Sequence, residues 1–413
     1  MKRILALGCS IALAAMLLAG CGNGGNNEQP SGGEGTGIAV EDVKVGVIHI
    51  GDPATGSGYS YTHDQGIVAM QETLGLSDEQ IVRKNNIDDT DTTAIENAMN
   101  ECIEEGCNII FATSWGYMDT CEALAAEYPN VFFSHATGYK SNGTNFNHYF
   151  GRIYQARYLS GIVAGMKTET NKIGYVSAMG SENGECTSGI DAFAMGVASV
   201  NPEATVEVKV TNSWYDPEGE GQAAQALIDD GCDVIAQHCD TNNPQIAARD
   251  AGVWGVGYNS DMTEQAPNAH LTAAIWHWDV YYQAAIETAM TCGGAENFVT
   301  EMGGNAYYAG LSEGFVDAST LNELVAAPGT AAAMEAVREL IDSGEWDVFS
   351  GVKLNITVDA EAGTAAVEQV DAPLMSDGYE LKDGEVVEMA NPEIVPAGGA
   401  SVTDDVIKSG MNY

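Results

Sequence analysis

The chain has 413 residues, with 59 Asp and Glu against 16 Lys and Arg and a formal net charge of −43. A field of that sign repels phosphate backbones and anionic lipid headgroups, which argues against nucleic acid as a partner. The hydrophobic fraction of 45% over this length is enough for two domains with real cores.

In chain order, Lys2 and Arg3 precede an apolar run, Ile4 to Leu18, that ends in Leu18-Ala19-Gly20-Cys21. A positive start, a short apolar stretch and small residues before a cleavage point read as a signal peptide over residues 1–20. The Leu-Ala-Gly-Cys segment resembles the lipobox of bacterial lipoproteins, so Cys21 is expected to be lipidated and to become the new N-terminus. Residues 21–42 are then a flexible tether, because GNGGNNEQPSGGEGTG is polar, glycine-rich and without periodicity. No other stretch is long and apolar enough to span a bilayer. The expected address is the outer face of a cell membrane, held by the lipid anchor only.

The run Val43 to Ile50 has the length and β-branched composition of a buried strand, bounded by Gly51 and Pro53. Gly56, Ser57 and Gly58 let the chain turn tightly, Tyr59 and Tyr61 follow, and a helical pattern begins near Thr62. In an open α/β sheet, small ligands sit at loops leaving the carboxyl ends of strands, so this loop is the first site candidate. The alternative is that Tyr59 and Tyr61 only cover the sheet edge. Lys172 to Ser177 repeats the arrangement, leading into the polar loop Met179 to Gly189 and a helix.

Further units follow: a strand near Ile81 to Asn85, a helix near Thr93 to Glu105, the strand Asn108 to Thr113, a helix from Met118 to Tyr128 and the strand Asn130 to Ser134. Short βαβ connections imply parallel sheets with helices on both faces. Gly106-Cys107-Asn108-Ile109-Ile110 is echoed by Gly231-Cys232-Asp233-Val234-Ile235, and Val131 to Ser134 by Val253 to Tyr258, which points to two similar lobes in tandem. Lobe 1 is expected at 43–148 and about 270–320, and lobe 2 at 149–269 and about 320–351. In this division the strand Leu271 to Ile275 returns the chain to lobe 1 and the helix from Trp278 to Thr291 continues it. Residues 352–413 form an accessory segment near lobe 2 or the hinge, with a hairpin around Asp383-Gly384.

Several segments now fall in order: the lipobox, GSGYSYTHDQG, GRIYQARYLSGIVAG, NSWYDP, IAQHCDTN, GYNSDM and IWHWDVYY. Together they resemble the basic membrane protein (BMP) family of substrate-binding lipoproteins, which serve ABC importers and include receptors for purine nucleosides. The similarity covers Val43 to Gly351. The resemblance implies an α/β, two-lobed type I periplasmic-binding-protein fold, each lobe a parallel sheet flanked by helices, with ligand held between the lobes. It further implies that Tyr59 and Trp214 sandwich an aromatic base and that Asp261 accepts ribose hydroxyls. Stacking on aromatic faces adds roughly 0.5 to 1.5 kcal/mol per pair, and a carboxylate can take two hydroxyl donors at once. The chain departs from the nucleoside receptors at Ser60, where they have Asn, and at Trp276, where they have Lys. Both changes make the implied pocket more apolar or more aromatic.

Other candidates come from position. Trp115 and Tyr117 follow a strand end, as does Asp240, whose alternative role is to cap the helix near Pro244. Arg152 and Tyr154 begin the helix between the lobes, where Arg152 could equally pair with one of the many acids. Trp276 and Trp278 could wedge the hinge instead of touching ligand, with Trp276 the better ligand candidate by position, and Trp254 reads as core. No GxxxxGK[ST], HExxH or GxSxG is present, and the histidines after strand ends lack partners at metal spacing, so neither catalysis, cofactor nor metal is expected. Of nine cysteines, Cys9 leaves with the leader and Cys21 is lipidated; the remaining seven show no CxxC spacing. Most read as small buried apolar residues, with one bridged pair left open.

The function expected from these features is solute capture for an ABC permease, by a monomer, with a nucleoside-like ligand first. A sugar, amide or signalling-molecule receptor, or a surface sensor, is the alternative.

Overall fold

The computed structural model describes residues 37–180, 182–376, 379–382 and 385–408. The leader, the lipobox with Cys21 and the tether through residue 36 lie outside the described residues. So does the Asp383-Gly384 turn.

The elements run β1 (Val45–Ile48), α1 (Tyr59–Leu74), β2 (Ile81–Lys84), α2 (Thr92–Glu104), β3 (Ile109–Ala112), α3 (Met118–Glu127), β4 (Phe132–Ala136) and β5 (Phe146–Gly151). Then come α4 (Ile153–Lys167), β6 (Lys172–Ser177), α5 (Gly184–Val200), β7 (Thr205–Val210), α6 (Pro217–Asp229), β8 (Val234–His238), α7 (Asn243–Ala251), β9 (Trp254–Asn259) and β10 (His270–Trp276). The chain continues with α8 (Trp278–Thr291), α9 (Phe298–Glu301), β11 (Ala306–Ala309), β12 (Val316–Ala318) and α10 (Thr330–Asp342). It closes with β13 (Val352–Asp359), β14 (Thr364–Asp371), β15 (Leu374–Met375), β16 (Tyr379–Lys382), β17 (Glu385–Glu388), β18 (Glu393–Val395) and α11 (Asp404–Lys408).

Two six-stranded sheets have the same plan. The first is ordered β2-β1-β3-β4-β5-β11 and is parallel throughout; the second is ordered β7-β6-β8-β9-β10-β12, with only β12 antiparallel. The first strands, Val45–Ile48 and Lys172–Ser177, are buried along nearly their whole length, as expected of parallel strands covered on both faces. In each sheet the chain reverses its direction of growth next to the first strand, so the loops after β1 and β3, and after β6 and β8, open at the switch point where α/β sheets bind ligands.

The sheet assignment corrects one expectation. The sequence places Leu271 to Ile275 in lobe 1, but β10 pairs with β9 and β12 in the second sheet. The chain crosses only afterwards, at His277, because α8 is the element that packs on α1 of the first lobe. It returns between β11 and β12, at 310–315. Strand β5 was not foreseen; its sequence, FNHYFG, mixes polar and aromatic residues without a β-branched run.

After α10 the hairpin β13–β14 packs on α10 and α5. Strands β16 and β17 pair as the expected hairpin. The final segment then runs back to the crossovers: Val402 N–H donates to the Phe349 carbonyl, and Asp404 at the start of α11 takes two hydrogen bonds from Arg152, at 2.9 and 2.8 Å. Lys408 lies 4.3 Å over the Tyr308 ring of β11, while α11 also packs on α5. This last turn of chain therefore touches both lobes. Among the described residues, no helix is long and apolar enough to cross a membrane, and no cluster of three or more His, Cys, Asp or Glu is placed to hold a metal. The seven cysteines from Cys102 onward are free thiols.

Candidate functional site

The two lobes meet at the loops of the switch points. Gly58 ends the β1–α1 loop at φ 84°, in the left-handed region that favours glycine, and a Cβ there would lie 2.7 Å from the main-chain oxygen of Asp240. Asp240 follows β8, and its N–H donates to the Trp214 carbonyl at 2.9 Å. Tyr59 and Trp214, expected to face each other across a ligand, thus flank the point where the lobes touch.

The first-lobe side is aromatic. His63 stacks on Trp278 at 3.9 Å, Trp278 stacks on Trp276 at 4.5 Å, and Tyr59 meets His63 edge-on at 4.4 Å. Gly66 makes this possible, since a Cβ there would come within 2.6 Å of Trp278 Cβ. Tyr149 of β5 and Phe150 pack beneath. Trp276 is 5% exposed, covered by Trp278 and Phe150, and its Nε1–H donates to the Tyr258 hydroxyl at 3.3 Å. It packs at the hinge and also lines the groove described below.

The second-lobe side is charged. Glu185, in the first turn of α5, accepts hydrogen bonds on Oε1 from Tyr258 (2.8 Å) and from His238 Nε2 (3.1 Å). Asp240 Oδ1 accepts from Asn259 Nδ2 at 2.8 Å. Burial, with Glu220 and Glu185 adding to it, pushes the Asp240 carboxyl up to about 8. Burial and the nearby Arg157 push His238 down to about 4, so the imidazole is neutral near pH 7. Arg157 itself is wholly buried on α4, 4.1 Å over the Tyr258 ring, and donates Nη1–H to the Gln237 carbonyl at 2.5 Å.

Several buried polar atoms here have no partner within the protein: Tyr59 OH, His63 Nε2 and Trp278 Nε1 on one side, Asn259 Oδ1 and Arg157 Nε and Nη2 on the other. An unpaired buried polar atom costs about 1–3 kcal/mol, and six of them gather where the lobes meet. Burial pushes the Tyr59 hydroxyl pKa well above its ordinary value, and Tyr149, Glu185 and Asp240 push it further, which places this phenol within the field of the opposite lobe.

The remaining candidates make other contacts. Ser60 is buried, with Oγ accepting the Gly51 N–H at 2.9 Å, so it holds the loop. Trp115 is 56% exposed beside Tyr139, on the rim. Arg152 is committed to Asp404 and Glu313, and Tyr154 donates to Asp347 at 3.1 Å. Asp261 is exposed, takes the Thr263 N–H at 2.8 Å and lies 3.9 Å from His270. It lines a groove of about 570 Å³ between α1 and the ends of β9 and β10, with Tyr61, Gln65, Asn259 and Trp276. The sequence reasoning missed Glu185, Tyr258, Asn259 and Arg157. The loop Met179 to Gly189 repeats the Tyr59 loop and contains Glu185, but nothing in the sequence sets Glu185 apart from Glu182 three residues before it.

Residues 43–341 match the Bmp family, described as ABC transporter substrate-binding protein PnrA-like. The chain belongs to this family. As a Bmp protein it is 39% identical over 257 residues to a putative ABC transporter glucose-binding protein of Haloferax volcanii, covering 62% of this chain and 63% of that one. It is 38% identical over 248 residues to a purine-binding protein of Brucella abortus, covering 60% and 69% of the two chains. A solved ABC transporter solute-binding protein from Conexibacter woesei superposes with a TM-score of 0.61 over 74% of this chain and 98% of that one, at 20% identity. That likeness establishes the two-lobed type I periplasmic-binding-protein architecture.

Proposed function

We propose that this Bmp protein is the extracytoplasmic solute receptor of an ABC importer, anchored through a lipidated Cys21, and that it captures a purine base or nucleoside between its lobes without altering it chemically. The observation that carries the reading is the pairing of an aromatic first-lobe face with a second-lobe face of carboxylates, both holding buried polar atoms that lack partners. A flat heterocycle offers ring faces to the first and hydrogen-bonding edges to both. Closure of the lobes on it would form the surface a permease recognises. The purine-binding name of the Brucella abortus relative supports this ligand class.

A sugar is the second reading, favoured by the glucose-binding name of the Haloferax volcanii relative; carboxylates beside aromatic rings also suit sugar hydroxyls and C–H faces. The test is a thermal-shift and calorimetric screen of the full chain, unfolded and refolded to strip bound ligand, against purine bases, purine nucleosides and glucose. A ligand at a hundred times its Kd adds about 2.7 kcal/mol of stability. A shift with purines supports the first reading. A shift with glucose alone replaces it by the second.

A further inference from the structure

We propose that Glu185, not Asp261, is the carboxylate that orients the bound ligand, and that it does so by accepting N–H donors from one edge of a flat heterocycle. The proposal rests on the reading of the cleft as a purine site and deepens it.

The support around Glu185 runs in one direction. The Tyr175 hydroxyl lies 3.2 Å from His238 Nδ1, and His238 Nε2 lies 3.1 Å from Glu185 Oε1. With a neutral imidazole, Tyr175 donates to Nδ1 and Nε2–H donates to the carboxylate. On the other side Trp276 Nε1–H donates to the Tyr258 oxygen at 3.3 Å, and the Tyr258 hydroxyl donates to the same Oε1 at 2.8 Å. Both relays end on Glu185, and both end on one oxygen. Oε2 receives no hydrogen bond among the described residues, although Glu185 keeps only 17% of its side-chain surface.

Position and charge agree with this role. Glu185 sits in the first turn of a 17-residue helix, where the unpaired N–H groups favour an anion. The buried Arg157, over the Tyr258 ring, supplies compensating positive charge without forming an ion pair to it. The field of Glu185 reaches across to the other lobe: the Tyr59 and Tyr308 hydroxyls are raised chiefly by burial, with Glu185 among the further causes. Asn259, 1% exposed, lies on the same face with Oδ1 unpartnered beside Asp240. Glu185 Oε2 and Asn259 Oδ1 are the open acceptors of the second lobe, with the unpartnered Arg157 Nε–H and Nη2–H buried behind them, and the unpartnered donors Tyr59 OH and Trp278 Nε1–H stand on the first. The matching ligand carries N–H donors on one edge and ring or carbonyl acceptors on another, as guanine does. Asp261 has neither burial nor comparable support, and one of its oxygens is already held by the Thr263 N–H.

The test compares the full chain with Glu185→Gln and Asp261→Asn, titrated calorimetrically with guanine, guanosine and glucose. Gln keeps an oxygen for His238 and Tyr258, so the supporting network and the ligand-free melting temperature should stay close to those of the parent, but it turns an NH2 group towards the ligand's own donors. The expected result is a loss of guanine affinity of about thirtyfold or more in Glu185→Gln and less than threefold in Asp261→Asn. Unchanged guanine binding in Glu185→Gln, or a larger loss in Asp261→Asn, overturns the assignment while leaving the purine reading intact. A parent chain that binds glucose and neither purine overturns the donor-edge assignment together with the purine reading. A parent that binds none of the three overturns both as well.

Discussion

The two lobes repeat one strand order, yet the faces they turn to each other differ in kind. The first offers rings: Tyr59, His63, Trp278 and, at the hinge, Trp276. The second offers Glu185 and Asp240, with Arg157 buried behind them. The repeated topology fixes where loops open, and on the proposed reading the side chains then divide the work. Stacking area tolerates small rotations of a ligand, so it suits the face that supplies affinity. Carboxylates fixed by relays such as Tyr175–His238 tolerate none, so they suit the face that supplies direction.

The strongest way to break this contrast is to empty the second lobe of its cation. Arg157→Ala leaves a void under Tyr258 and strips the Gln237 carbonyl of its donor, so chemical denaturation should register a loss of about 3 kcal/mol or more. Next in size, Gly58→Ala forces a side chain into the contact with Asp240 at a backbone angle that disfavours it. Closure should suffer most: a roughly tenfold or greater loss of affinity, alongside the lower ligand-free melting temperature that strain at this backbone angle brings. An unchanged Kd would mean that the Gly58–Asp240 approach is not part of the bound state.

Tyr59→Ala and Trp214→Ala sharpen the comparison, each expected to weaken binding of an aromatic ligand about tenfold. If only Tyr59→Ala does so in calorimetry, stacking belongs to the first lobe alone. The smallest effect is one of pH. Burial raises the Asp240 pKa to about 8, above its unfolded value near 3.8, so ionising this group costs the folded state progressively more as pH rises from about 4 to 8. Asp240→Asn removes that cost, and should therefore raise the melting temperature by a few degrees more at pH 8 than at pH 5. An equal change at both values would show that Asp240 is hydrated in the folded chain.

Much of the fold was legible because the inner strands begin as apolar runs near a glycine or capping residue; Val45–Ile48, Ile109–Ala112 and Val234–His238 fall where the reading puts them. The membership of β10 was not legible, since Leu271 to Ile275 would be equally apolar in either sheet. Only the packing of α8 on α1 decides where the crossing falls. In the site, Tyr59 announced itself through its glycine loop. Glu185 did not, being one of 59 acids whose partners, His238 and Tyr258, stand more than fifty residues away in sequence. Arg157 was hidden for a similar reason: a long apolar helix gives no hint that its single mid-helix cation is wholly buried.

The segment that returns from the C-terminal hairpins has a mechanical consequence. It lies beyond the region matched to the family, yet α11 grips Arg152 at the first crossover, rests Lys408 on Tyr308 of one lobe and leans on α5 of the other. Three chain crossings act as the axle, and this fourth span acts as a tether across it. On the proposed reading, separating the lobes slackens or breaks this tether, whose ion pair salt screens. Raising the ionic strength of the medium should therefore loosen the tether and speed the separation of the lobes.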